Sequence, residues 1–427
     1  MLNLFVTLLV LMLSLQQPST PAPDDLSFRL TVRNVSDADL TVRTTELPEG
    51  AIIPAGKDGT VHVKSPRSME HGRVRIVLTR PAGDGHVAAT FSVTGFDANA
   101  VVFWGDPEQI IAAAGPAANA HEVTNLAAML SATAAVPGSN VDQLLALLLG
   151  VPIAMDGGAL PCSMRPCLIV GRFGLEYASV LGARFSWVPP GNAKLGRANG
   201  YPFEAVTSFD LPRGFWIGQT EWTDFENLLA RVLSGKIGIG DAIKYRAAMP
   251  ASGDMPCASE WPEAVGISRT IAKIDDLAWT LPSEAQWEYA CRLQSNGRYA
   301  QAPDGRMLTD REFWHNQSAR GEVRPVGVLV PSIIGLYDLH GNRMEWCRDA
   351  FKKRIDVSDA NADQQIEAKA QTRAMRGGHV GWPAADCECG ARSDGGRERD
   401  AVSIVGVRYV IEAPRPADPT PPEQEQP

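Results

Sequence analysis

The chain has 427 residues, with 44% hydrophobic and 21% charged content and 40 Lys and Arg against 49 Asp and Glu, a net charge of −9. That is ordinary globular composition for two or three domains. No basic block stands out, which argues against nucleic acid or an anionic membrane surface as partner.

The first 25 residues, MLNLFVTLLVLMLSLQQPSTPAPDD, carry an apolar run from Leu2 to Leu15. It is too short for a comfortable membrane span and suits a signal-peptide core. Residues 1–22 are therefore expected to be a signal peptide, with export to the periplasm or medium and no transmembrane segment after its removal. No cysteine follows the run in this stretch, so a lipid anchor is not supported. The seven cysteines (162, 167, 257, 291, 347, 387 and 389) are an odd count. In an exported protein they allow two or three disulfides and leave at least one thiol. Cys162 and Cys167 flank SMRP closely enough for a local bridge; the pairing stays open.

Residues 27–105 alternate in FRLTVRNV, LTVRTTEL, TVHVKS, RVRIVLTR and VAATFSV, with turn signals between them, the pattern of a small β-sandwich. His62, His71 and His86 are scattered along it and form no catalytic cluster. Residues 106–182 are rich in Ala and Leu. HEVTNLAAMLSATAAV and NVDQLLALLLGV have helical spacing, with Asn140 as N-cap, so a helical connector is expected. From 183 to 412 Trp and Gly become frequent and strands short. There TLPSEAQWEYACR marks a helix start, with Ser283 and Gln286 as a capping box. The tail 413–427, rich in Pro and Glu, is expected to be disordered.

Four segments of residues 185–410 resemble, in order, the sulfatase-modifying-factor domain typified by the formylglycine-generating enzyme. They are FSWVPPGNAKLG, FWIGQTEWT, LPSEAQWEYACR and GLYDLHGNRMEWCRDAF, followed by RGGHV and CGARSDG…VGVR. The resemblance implies an irregular α+β domain related to C-type lectins, here preceded by the β-sandwich and the connector. Since its motif set is complete, this domain is expected to fold alone and to survive proteolysis between 106 and 182.

In GLYDLHGNRMEWC, Asp338 and Glu345 are hard oxygen donors, and Gly341 permits a sharp turn between them. Oxygen-only shells of irregular geometry suit Ca2+. The resemblance implies a structural calcium held by Asp338 and Glu345, with main-chain carbonyls of Gly341 and Arg343. His340 matches a variable position and is set aside as a ligand, because imidazole prefers Zn, Cu or Fe.

The family's enzyme uses Cu+ held by two cysteines five residues apart to convert a sulfatase cysteine to formylglycine. Here the second corresponds to Cys389, while the first position holds Ala384. Cys387 is the substitute at hand: in an extended strand residues i and i+2 share a face, so Cys387 and Cys389 could present their sulfurs together. Two readings follow. In the first, the protein is an exported, catalytically silent module that binds a protein or glycan ligand. In the second, it is a copper-dependent oxidase acting on a sulfatase client through Cys387 and Cys389. The superfamily's iron branch, which uses histidines spaced H-x-x-x-H-x-E, finds no match.

Overall fold

Period-2 burial builds the first half of the chain. The computed structural model describes residues 26–44, 47–65, 73–83, 85–115, 126–151, 161–197, 206–249, 254–293, 295–352, 372–393 and 403–412. The expected signal peptide and acidic tail lie outside these residues. The strands in chain order are β1 (Leu26–Asn34), β2 (Leu40–Thr44), β3 (Ala51–Ile53), β4 (Asp58–Ser65), β5 (Val74–Ala82), β6 (Gly85–Val93) and β7 (Val101–Trp104). Three helices follow, α1 (Pro107–Ala114), α2 (Leu126–Ser131) and α3 (Val141–Leu149), with β8 (Ala134–Val136) between the last two. Asn140 caps α3 as expected: its side chain accepts from Gln143 N at 2.8 Å, and Gln143 reciprocates on Asn140 N. Beyond these helices, the regular elements among the described residues of the expected connector are strands. They include β9 (Cys162–Met164), β10 (Cys167–Gly171) and β11 (Gly174–Ala178).

The second half adds β12 (Arg184–Val188), β13 (Gly191–Leu195), β14 (Thr207–Leu211) and β15 (Phe215–Gly218). Then come α4 (Asp224–Leu233), α5 (Ile239–Ala248), α6 (Trp261–Asp275), β16 (Trp279–Thr280) and α7 (Glu284–Arg292). Four strands close the series: β17 (Met344–Ala350), β18 (Arg373–Arg376), β19 (Val405–Gly406) and β20 (Val410–Glu412). The architecture is mixed α+β, with an N-terminal β region ahead of the motif-bearing half.

The two halves share one sheet. Nine strands run in the order β16-β20-β15-β12-β11-β10-β7-β1-β4, so the supposed boundary lies in the middle of a hydrogen-bonded ladder. A six-stranded sheet, β3-β2-β5-β6-β9-β8, lies against its N-terminal end. Alternate residues of both sheets meet in one core: Leu30, Val32, Val102 and Ile169 from the first, Val42, Ile76, Leu78 and Phe91 from the second. The opposite face of the long sheet, with Phe103, Leu168, Tyr177, Phe185 and Trp216, is covered by helices α1 to α6. The local Cys162–Cys167 bridge that the spacing allowed does not form: β9 and β10 belong to different sheets, and both residues remain thiols.

Buried polar contacts cross the same junction. Arg184 on β12 donates to both oxygens of Asp97, at 3.0 and 2.7 Å, and to Glu176 on β11. Gln219 also donates to Glu176 at 2.7 Å, and the hydroxyls of Thr94 and Tyr337 lie 3.1 Å apart. A fragment cut at 183 keeps Arg184 but loses both of its acids and the strand beside β12. Breaking a buried pair costs about 3–5 kcal/mol. The expectation of an independent C-terminal domain is therefore replaced by its opposite. Full-length protein should unfold in one transition, and residues 183–412 expressed alone should not fold. A protease-resistant fragment starting near Phe185 would show that the long sheet can close without β10 and β11.

Candidate functional site

The segment Gly335–Ala350 is shaped by its backbone. Gly341 has φ +86°, and a Cβ there would lie 1.8 Å from the carbonyl oxygen of Trp314, so no other residue fits. Asp338 and Asn342 also take positive φ, which Asp and Asn tolerate better than most. The chain then enters β17, where side chains alternate. Met344 and Trp346 join the core under the helices, while Cys347 joins the core around α7. Glu345 lies between them, 1% exposed.

Glu345 meets a cation, and that cation is Arg408. The guanidinium, fully buried, donates through Nε to both carboxylate oxygens (3.1 and 3.0 Å) and through Nη2 to Oε1 at 2.6 Å. Its Nη1 and Nη2 also donate to the carbonyls of Gly218 (3.0 Å) and Tyr337 (2.8 Å), respectively. Trp287 Nε1 donates to Glu345 Oε2 at 2.6 Å. Asp338 accepts from Gly327 N at 2.7 Å. Sequence reasoning passed over a third acid, Glu221, which accepts from the Asn342 amide (2.6 Å) and from Arg343 N (2.9 Å).

At the positions expected to hold calcium, both acids already accept hydrogen bonds from the protein. Both oxygens of Glu345 accept from arginine and indole, and Asp338 accepts from Gly327 N. Calcium needs six to eight converging oxygens. Among the described residues, the group of three His, Cys, Asp or Glu side chains whose ligand atoms converge, all within 4.8 Å, is instead Cys291, His340 and Cys389. The positive charge that the acids require is built into the chain.

Burial leaves Asp338 and Glu221 reluctant to ionise. It pushes Asp338 up to about 6, against backbone donation from Gly327 and the pull of Arg408, and raises Glu221 well above the carboxylate range, with Asp338 and Glu345 adding repulsion. The unfolded chain releases the Asp338 proton near pH 3.8, whereas the folded chain keeps it to about 6. Folding is thus penalised increasingly as pH rises between those values, and by a constant amount above them. Asp338→Asn keeps an acceptor for Gly327 N and tolerates the positive φ. Its stability relative to wild type should rise by on the order of 2 kcal/mol between pH 4 and pH 7, read from urea unfolding at each pH. A pH-independent difference would contradict this.

The sulfur cluster lies beneath α7. Ser283 caps that helix as expected, accepting from Gln286 N at 3.0 Å while Gln286 Oε1 accepts from Ser283 N at 2.8 Å. The cap fixes the register that turns Cys291 inward. Cys291 is bonded to Cys389, with Cα atoms 5.7 Å apart. His340 stands beside the bond: its Nε2 accepts from Ala300 N at 2.9 Å and lies 3.9 Å from Cys291 Sγ, so Nδ1 carries the proton and donates to Cys387 O at 2.7 Å. Burial holds its pKa down at about 4.

The expected pairing of Cys387 with Cys389 is not found. Residues Ala384–Cys387 form a short helical turn led by Pro383, so the two cysteines do not share a strand face. The Cys387 thiol is fully buried, lies 3.7 Å from Pro383 O, and is pushed up to about 12 by burial. Ala384 sits in the same turn, and its carbonyl accepts from Tyr299 OH at 3.2 Å.

Residues 178–413, over half the chain, match the family model of the sulfatase-modifying factor enzyme 1-like domain. The chain belongs to this family. The sulfatase-modifying-factor domain thus begins on β11, inside the long sheet. A formylglycine-generating enzyme of Streptomyces coelicolor is 31% identical over 129 residues, which is 28% of this chain and 39% of that enzyme. One from Mycobacterium tuberculosis is 33% identical over 108 residues, 22% of this chain and 34% of that enzyme. The matched stretch spans well under half the length of either relative. The solved structure of PvdO from Pseudomonas aeruginosa aligns with a TM-score of 0.44 at 18% identity, covering 54% of this chain and 95% of that one.

Proposed function

We propose that this sulfatase-modifying-factor member is catalytically silent and acts as an exported binding or assembly module for a protein or glycan ligand. The observation that carries the reading is the bond between Cys291 and Cys389, which removes from chemistry the cysteine matched to the family's copper site. Thiolates, not thiols, bind copper, and the remaining candidate, Cys387, is a buried thiol with a strongly raised pKa beside an alanine-bearing turn. While Cys291 and Cys389 are bonded and buried, two thiolates converging in an open cleft, as the copper oxidase reading requires, have no counterpart among the described residues. Export rests on the apolar run Leu2–Leu15.

The test is to incubate the disulfide-bonded protein, without a thiol reductant, with one equivalent of Cu+ and a Cys-x-Pro-x-Arg peptide, and to weigh the peptide by mass spectrometry. No aldehyde is expected. Aldehyde that disappears in the Cys387→Ser variant would establish the copper oxidase with a sulfatase client instead.

A further inference from the structure

We propose that Cys291, His340 and Cys389 form a redox-gated zinc site, closed to metal while the disulfide stands and open to one Zn2+ once it is reduced. The ligand atoms of the three side chains all lie within 4.8 Å of one another, and all three residues are buried. They come from three distant parts of the chain that the fold holds together independently of the bond. Cys291 sits on the capped helix α7. His340 is fixed by the turn at Gly341. The Cys389 backbone is held by its N–H to Arg298 O (2.9 Å) and by Arg376 Nη2 donating to its carbonyl (2.7 Å).

The imidazole is prepared for a metal. Its Nδ1–H donates to a backbone carbonyl, the outer hydrogen bond that orients a zinc-bound histidine and leaves Nε2 as the donor lone pair. That lone pair lies 3.9 Å from Cys291 Sγ and holds a single N–H, from Ala300, which an incoming ion would displace. Two thiolates and a neutral imidazole around Zn2+ make a site of zero net charge, the form a buried position tolerates best. A fourth position is left for water or an exogenous thiol. His340 lies one ring beneath the surface, because half-buried Tyr299 packs edge-on against it at 5.2 Å.

The step balances. A dithiol donor passes two electrons and two protons to the Cys291–Cys389 bond through a mixed disulfide, leaving two protein thiols and an oxidised, cyclic donor. Zinc then replaces the two thiol protons, which are released to solvent.

The experiment uses the full chain under native conditions, oxidised and dithiol-reduced, each dialysed with Zn2+. One zinc per chain is expected in the reduced protein and none in the oxidised. X-ray absorption of the loaded protein should show two sulfurs at about 2.3 Å and one nitrogen at about 2.0–2.1 Å. The Cys387→Ser variant should still load, and reoxidation should release the ion. Reduced protein without stoichiometric zinc, or a shell lacking two sulfurs, would each overturn the assignment. Because the shell is read on the wild-type chain, the result does not depend on any variant folding, nor on the outcome of the copper assay.

Discussion

Replacing Arg408 with methionine is expected to destabilise the protein by about 3–5 kcal/mol, the usual cost of stripping one partner from a buried ion pair. Arg408 is fully buried, meets Glu345 with three N–H···O contacts, and donates to the carbonyls of Gly218 and Tyr337. Without it, Glu345 remains as a buried acid with no cation hydrogen-bonded to it, and two carbonyls lose their donor. Denaturant unfolding of the Arg408→Met and Arg408→Lys variants would measure this. Lysine keeps the charge but not the forked geometry, so it should recover only part of the loss. Because this guanidinium stands where a bound cation was expected, chelators should leave the wild-type melting temperature unchanged. A wild type that chelators destabilise, or an Arg408→Met variant as stable as wild type, would return the acids to a metal.

Removing the Cys291–Cys389 bond should have an effect of similar size. The two residues are 98 apart in sequence. Cross-linking a loop of about 100 residues lowers the entropy of the unfolded chain by the equivalent of about 4.7 kcal/mol, and native disulfides commonly contribute about 2–5 kcal/mol. The Cys291→Ala, Cys389→Ala double variant should therefore unfold at markedly lower urea in metal-free buffer, and a dithiol reductant should shift the wild type towards it. A reductant that shifts the double variant equally would mean that the shift arises elsewhere.

Local signals survived the passage from sequence to structure, and long-range ones did not. Ser283 with Gln286, and Asn140 with its helix, are legible because a cap is settled within four residues. The need for Gly341 is legible because only glycine fits so close to another backbone. Alternation in residues 27–105 correctly identified strands, but period 2 tells which face is buried and not which strand lies next door. It could not reveal that β7 pairs with β10, and through β11 with β12. The partner of Glu345 was illegible for the same reason: Glu345 is a good oxygen donor in any context, and Arg408 is 63 residues away. Cys387 and Cys389 were expected on one strand face, yet Pro383 opens a helical turn there. His340 was set aside for calcium on sound donor chemistry, and that same chemistry suits the sulfur cluster where it lies.

The long sheet also imposes an order on events during synthesis. Strand β12 has one neighbour, β11, from only a few residues upstream, but its other side waits for β15, whose own outer partner β20 is almost 200 residues further on. Until β20 emerges from the ribosome, the apolar face carrying Phe185 and Trp216 ends in an unpaired edge, the kind of surface that recruits other chains. Contacts of such sequence separation also form slowly, since loop entropy is lost before pairing offsets it. A nascent chain of this protein thus carries an adhesive edge from the emergence of β15 to that of β20, so chaperone engagement should rise after β15 has emerged and fall only once β20 has joined the sheet.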